Sequence, residues 1–157
     1  SVPERFLADH FADIADAPLG LPLEYDYPKI PLPNEPYVVV APGRYAEFRE
    51  LLARFAVRCT LPVVVVGGPG EHIGYGTDMT GLDLAEMTAW IAGAKLFVGT
   101  PSSPLVIANA FPVRKVVVYT KELFDLRHLL HGPLNHYTDD LSVANLMELS
   151  GLCALSK

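Results

Sequence analysis

Lys95 to Ala110 reads KLFVGTPSSPLVIANA, and this stretch decides the fold. The short apolar run Lys95–Val98 predicts a buried strand. Small residues then make a turn, and a helix opens at Ser103–Pro104, with proline in its first turn where the missing N–H costs nothing. Strand, tight turn and helix N-terminus together form the geometry in which an open parallel sheet holds an anion. The loop Gly99–Pro104, carrying Thr100, Ser102, Ser103 and Pro104, is therefore the first candidate site.

Outward from it the rhythm is regular. Tyr37–Ala41 (YVVVA), Pro62–Val66 (PVVVV) and Lys115–Tyr119 (KVVVY) predict three further strands. Helical spacing predicts helices over Tyr45–Val57, Asp83–Ala92, Pro104–Ala110, Lys121–Leu130 and Leu141–Leu149. Asp83 and Glu86 stand as a capping box, and the last helix is expected to be capped by Asp139 or Asp140 and stopped at Gly151. Unbroken valine runs need apolar cover on both faces, as in a parallel sheet between helix layers. Alternating strands and helices make the fold α/β: a single Rossmann-like, doubly wound domain with a parallel sheet. Ligands of such sheets sit outside the carboxyl ends of the strands. Three turns fall at that edge: Pro42–Arg44, Gly67–His72 and Gly99–Pro104.

Upstream, Ser1–Asp16 has one apolar helical face, and Ala17–Pro36 carries six prolines and no sustained period. Residues 1–36 thus read as a helix and a proline-rich interdomain strap, and 37–157 as the folded domain. Half of the residues are hydrophobic and 19% are charged, which describes a globule and not a disordered segment. The net charge of −6, with no basic cluster, argues against nucleic acid as a partner. No apolar run reaches the roughly 20 residues of a membrane-spanning helix, and the N-terminus lacks signal-peptide character. A cytoplasmic protein is expected, with Cys59 and Cys153 as free thiols.

Among the residues able to carry chemistry, the Gly67–Glu71 turn (GGPGE) lets backbone approach a ligand, and Glu71 is placed to accept from a ribose or sugar hydroxyl. Its glycines do not make a G-x-G-x-x-G fingerprint. Arg44 opens the helix after the first strand, where a guanidinium can clamp a diphosphate or simply face solvent. Ser102 and Ser103 serve as phosphate donors, as N-caps, or as both. His72, at the same edge, is a candidate phosphate contact. His128 and His131 are three apart but lack a nearby carboxylate, so helix-end histidines are the simpler reading and no metal is expected. No nucleophile elbow, Walker loop or acid–base pair of carboxylates is present, so no catalytic residue is assigned.

The order of these pieces resembles the C-terminal half of the bacterial heptosyltransferase family, glycosyltransferases of the GT-B fold classed as family 9. The resemblance runs from about Tyr37 to Tyr119. It is carried by VVVAPG (38–43), VVVVGGPGE (63–71), TGLDLAEMTAWIAGAKLFVG (80–99) and SSPLVIANAF (102–111). It implies that residues 37–157 bind a nucleotide-diphospho-sugar donor as one half of a GT-B enzyme, through Gly43, Arg44, Gly68, Glu71, Ser102, Ser103 and Pro104. Where the family usually reads Asn-Asp-Ser-Gly-Pro-Met-His, this chain has Thr100–Pro101–Ser102–Ser103–Pro104–Leu105–Val106, without the acidic residue or the histidine.

The resemblance further implies metal-independent transfer, no cofactor beyond the nucleotide sugar, and an N-terminal GT-B domain acting in cis or in trans. It also implies synthesis of a glycan or lipopolysaccharide-type product, with peripheral association to the inner membrane through the acceptor. Transfer is expected only in combination with that second domain. Two other classes stay open at this point. One is a degenerate, non-catalytic assembly module, favoured by the missing acidic residue. The other is a sugar-nucleotide epimerase half, which the lack of acid–base pairs disfavours.

Overall fold

The computed structural model describes residues 30–124 and 134–152. The helix expected at Ser1–Asp16, the strap up to residue 29, residues 125–130 of the helix expected at Lys121–Leu130, His128, His131 and Cys153 lie outside the described residues. Within them, six strands form one parallel sheet: β1 (Val38–Ala41), β2 (Val63–Gly67), β3 (Thr77–Thr80), β4 (Leu96–Gly99), β5 (Arg114–Val118) and β6 (Asn135–Thr138). The helices are α1 (Ala46–Arg58), α2 (Leu84–Ala92), α3 (Ser103–Ala108) and α4 (Val143–Ser150). Strand order is β3-β2-β1-β4-β5-β6. The chain therefore builds outward from β1 to β3, and α2 then carries it back to the other side of β1. The expected doubly wound α/β architecture is what forms.

The valine runs explain themselves in this arrangement, because successive side chains point to opposite faces. Val38, Val40, Val63, Val65, Val98 and Val116 pack under α1 and α4 with Phe48, Leu52, Phe55 and Leu146. Val39, Val64, Val66, Phe97 and Val117 pack under α2 and α3 with Ile91, Leu105 and Ala108. Each fully buried side chain of this size contributes about 1.5–3 kcal/mol, so both layers are needed to hold the central strands.

Two strands arise where the sequence predicts none. β3 (TDMT) and β6 (NHYT) are polar, short and less buried than the central strands, and they are the two edges of the sheet. Their pairing partners β2 and β5, not their own composition, make them strands. β2 reaches β3 through a helix-free link of residues 68–76, shorter than most parallel crossovers. The link turns on Gly70, Gly74 and Gly76, all at positive φ. A Cβ on Gly76 would lie 2.8 Å from the Val63 carbonyl oxygen, so the returning chain needs glycine there.

The caps are partly as expected. Asp83 accepts from the Glu86 N–H (2.8 Å) and starts α2, and Gly151, at φ +70°, closes α4. The cap of α4, however, is Ser142, which accepts from the Asn145 N–H at 3.1 Å, and neither Asp139 nor Asp140 fills that place. Asp140 instead accepts from the Ser142 N–H and shapes the approach. Lys121–Leu123 form a turn on Thr120, with the Leu123 and Phe124 N–H groups donating to its carbonyl.

Among the buried polar residues of the described chain, Thr88, Thr100, Lys115 and Ser150, one is charged. Lys115, 2% exposed in β5, donates its ammonium to the Val113 carbonyl at 2.5 Å and the Phe111 carbonyl at 3.3 Å. Those carbonyls follow the C-terminal end of α3, where a cation is favoured. Burial nevertheless pushes the lysine down to about 8.

Candidate functional site

The strand order reverses between β1 and β4, and the carboxyl ends of β1, β2, β3 and β4 all face one edge. Beside the reversal a cavity of about 370 Å³ opens. One wall is the turn after β2, contributing Gly67, Gly68, Pro69 and Glu71. The start of α3, Ser102–Pro104, forms the facing wall, and Gly81, Leu82 and Met87, from the end of β3 and the start of α2, complete it.

The glycine turn is shaped by Glu71. Its N–H donates to the Gly68 carbonyl at 3.2 Å, and its carboxylate folds back over Gly67 and Gly68. A Cβ on Gly67 would collide with Glu71 Oε2, and one on Gly68 would meet Oε1 at 3.2 Å. The two glycines therefore make room for a carboxylate that presents its oxygens at the cavity wall.

On the opposite wall, Ser102 occupies the N-cap position but makes no side-chain cap; its hydroxyl donates to the Thr100 carbonyl at 3.0 Å. Leu105 and Val106 both donate their N–H groups to the Ser102 carbonyl, and Pro104 has none to give. The first turn of this six-residue helix thus turns its donors inward, and fewer of them face the cavity than the sequence implies. Ser103, exposed, presents the more accessible hydroxyl.

Of the residues singled out in the sequence, Gly68, Glu71, Ser102, Ser103 and Pro104 line the cavity. Gly43, Arg44 and Thr100 stand apart from it, at the ends of β1 and β4. Arg44 is exposed; its guanidinium hydrogen-bonds the Tyr45 hydroxyl at 3.2 Å and lies 5.2 Å from that ring's centre. The hydrogen bond to Tyr45 holds the guanidinium above its ordinary value, and the charges of Tyr45 and Glu71 add to this. His72 is held within the link after β2. Its Nδ1 accepts from the Gly74 N–H at 2.8 Å, so the ring closes the β2–β3 link, and its Nε2 is buried without a partner. Asp78, beneath it, accepts from the Thr80 hydroxyl and N–H, which hold its carboxyl below the usual range.

Gly81, Leu82 and Met87 went unread as site residues because they reach the cavity only through β3. The one signal for them was a glycine, Gly81, standing two residues before the Asp83 cap. No group of three or more His, Cys, Asp or Glu side chains suited to a metal ion occurs among the described residues.

No protein-family model and no curated protein matches this sequence. Solved structures do. A family 9 glycosyl transferase from Veillonella parvula superposes with a TM-score of 0.57 at 15% identity, over 92% of this chain and 42% of that one. The chain shares its fold with glycosyltransferase family 9 structures. TibC, a dodecameric iron-containing glycosyltransferase of enterotoxigenic E. coli, gives a TM-score of 0.52 at 22% identity, over 78% of this chain and 35% of its own. TibC, described as a heptosyltransferase, in complex with ADP-D-β-D-heptose gives 0.51 at 20% identity, over 79% of this chain and 36% of its own. This chain therefore spans between 35% and 42% of the length of these enzymes.

Proposed function

We propose that this domain binds a nucleotide-diphospho-sugar donor as one half of a GT-B glycosyltransferase. The observation that carries the reading is the cavity at the carboxyl edge, where a glycine turn with a carboxylate faces two serines, within a fold shared with family 9 enzymes. Glu71 suits vicinal sugar hydroxyls, which donate to a carboxylate. Leu82 and Met87 suit the face of a base, and Ser103 suits a phosphate oxygen.

The leaving nucleoside diphosphate would be stabilised by Arg44 and the serine hydroxyls, and no metal is required in this scheme. The catalytic base and the acceptor would come from a second, N-terminal domain in cis or in trans, which accords with the share of the related enzymes that this chain spans. No helix among the described residues is long and apolar enough to cross a membrane. We place the domain on the cytoplasmic side, reaching the inner membrane only through its acceptor.

Calorimetric titration of the chain with ADP, GDP and UDP and their sugars, with and without a chelator, tests this. Saturable binding of one nucleotide, undiminished by chelation, is the expected result. A folded protein that binds none of them refutes the donor site and leaves the assembly-module reading in its place.

A further inference from the structure

His72 sits in the link of residues 68–76, one residue beyond Glu71, whose carboxylate belongs to the cavity wall. The link has no helix and passes through Gly70, Gly74 and Gly76, all at positive φ. Glycine gives such a segment little stiffness of its own, so its path depends on the bonds that close it. Before His72, the Glu71 N–H donates to the Gly68 carbonyl; after it, the Gly74 N–H donates to His72 Nδ1 at 2.8 Å. The second bond has the form of an Asx turn, with an imidazole nitrogen in place of an amide oxygen. Ile73, inside that turn, packs against the core layer under α1 and α4.

A ring nitrogen that accepts carries no proton, so the ring is neutral and its proton is on Nε2. Among the described residues, Nε2 is the one buried side-chain nitrogen or oxygen without a hydrogen-bond partner. A second proton would go to Nδ1 and turn the acceptor into a donor facing the Gly74 N–H. The closed link then offers the imidazolium no acceptor at either nitrogen, and a charge held that way is costly. The charged neighbours do not supply one. Asp78, on β3, is close enough to feel the ring's charge, but its Oδ1 accepts from the Thr80 hydroxyl and N–H, and it does not bond the ring. The Glu71 carboxylate lies over Gly67 and Gly68 and shares its field with Arg44, before α1.

We propose that His72 is a pH-operated latch on the cavity wall: its neutral ring holds the link closed and Glu71 in place, and its protonation releases both. It is a positioning residue, acting on a ligand through Glu71. The effect on a ligand rests on the donor-binding reading; the latch itself does not. One hydrogen bond of ordinary worth corresponds to about fivefold in affinity, so donor binding should weaken by about that factor as the ring gains its proton.

His72→Asn separates the two states, because its amide oxygen accepts from the Gly74 N–H at every pH. Nitrogen-15 NMR of the full chain from about pH 8 to about pH 5.5, the range in which an imidazole titrates, follows the ring and the Gly74 amide together. In the wild type the neutral ring should carry its proton on Nε2, and the Gly74 amide resonance should move with the ring's own midpoint. In His72→Asn that resonance should stay in place. Calorimetry with ADP, GDP and UDP at the two limits then reads the wall. Wild-type affinity should fall about fivefold more than that of His72→Asn, a ratio that cancels titration of the phosphates. A neutral ring protonated on Nδ1, or a Gly74 amide indifferent to the ring's titration, overturns the latch. So does a wild-type affinity that rises at low pH relative to the variant, since the charged ring would then be meeting the phosphate itself. Equal pH dependence of binding in the two proteins overturns the control of Glu71. Should His72→Asn fail to fold, the wild-type ring and Gly74 resonances decide. A latch seen in the spectra of a protein that binds no nucleotide at either pH leaves the latch standing and removes the donor site.

Discussion

Lys115 allows a quantitative test of how this core handles charge. In the unfolded chain the lysine holds its proton up to about 10.5, whereas in the native protein burial lowers that point to about 8. Between these limits the unfolded state binds more protons, so raising the pH favours the folded state. At about 1.4 kcal/mol per pH unit, crossing the window adds roughly 3 kcal/mol to native stability. Below about pH 8 both states are protonated and the native protein bears the whole desolvation cost; above about 10.5 both are neutral and the gain is complete.

Other groups act with the opposite sign in the same range. The Cys59 thiol and the Tyr37 phenol are each pushed up to about 12 by burial, so their native states keep protons that the unfolded chain has lost. Raw wild-type stability would therefore blur the effect, and a difference isolates it. Lys115→Met keeps the stem and removes the ammonium, at a pH-independent cost of about 1–3 kcal/mol for the Phe111 and Val113 carbonyls left unpaired. Urea unfolding of both proteins between about pH 7.5 and about pH 10.5 then gives wild-type stability relative to the variant. That relative stability should climb by roughly 3 kcal/mol with rising pH. A flat difference across the window would refute the reasoning, because it would mean that the two carbonyls hold the ammonium as well as water does.

Three further outcomes follow from the site and the caps. Ser103→Ala should weaken nucleotide binding about tenfold or more, and more than Ser102→Ala does, because the Ser102 hydroxyl is already committed to the Thr100 carbonyl; calorimetry reads the ranking. Ser142→Ala should cost about 1 kcal/mol in chemical denaturation while Asp139→Ala costs little, since Ser142 alone caps α4. Gly67→Ala should cost about 1–3 kcal/mol and displace Glu71, because φ is +145° and the added Cβ meets that carboxylate; a Glu71→Ala background should recover part of the loss.

The four central strands were legible in the sequence because each is covered on both faces, and burial on both faces leaves an unbroken apolar run. β3 and β6 were not, since TDMT and NHYT have no apolar period and become strands only by completing hydrogen bonds offered by β2 and β5. The same physics divided the site. Glycines 67 and 68, Glu71 and the serine turn announced themselves by residue type. Leu82 and Met87 look like ordinary helix-start and core residues until β3 brings them round. Arg44 and His72 were singled out by chemistry alone, and the structure adds what the sequence did not show: an aromatic neighbour for the guanidinium and a loop-closing bond for the imidazole. Asp139 and Asp140 were the stronger caps by charge, but the turn at Asp140 hands that place to Ser142.

The helix-free link to β3 has a consequence for how the site is held together. β3 is bonded to the sheet along one side only, and its own residues contribute little to either core, yet Gly81 and Leu82 at its end form part of the cavity. The wall can therefore part from β2 without disturbing the valine layers. Opening of this kind lies at the low end of a protein's free-energy scale, well below global unfolding. Amides of Thr77–Thr80 should accordingly exchange with solvent far faster than those of Val39 or Val64, and a bound nucleotide should slow the first set while leaving the second unchanged. In this sense the cavity has a hem that can be let out, and a ligand closes it.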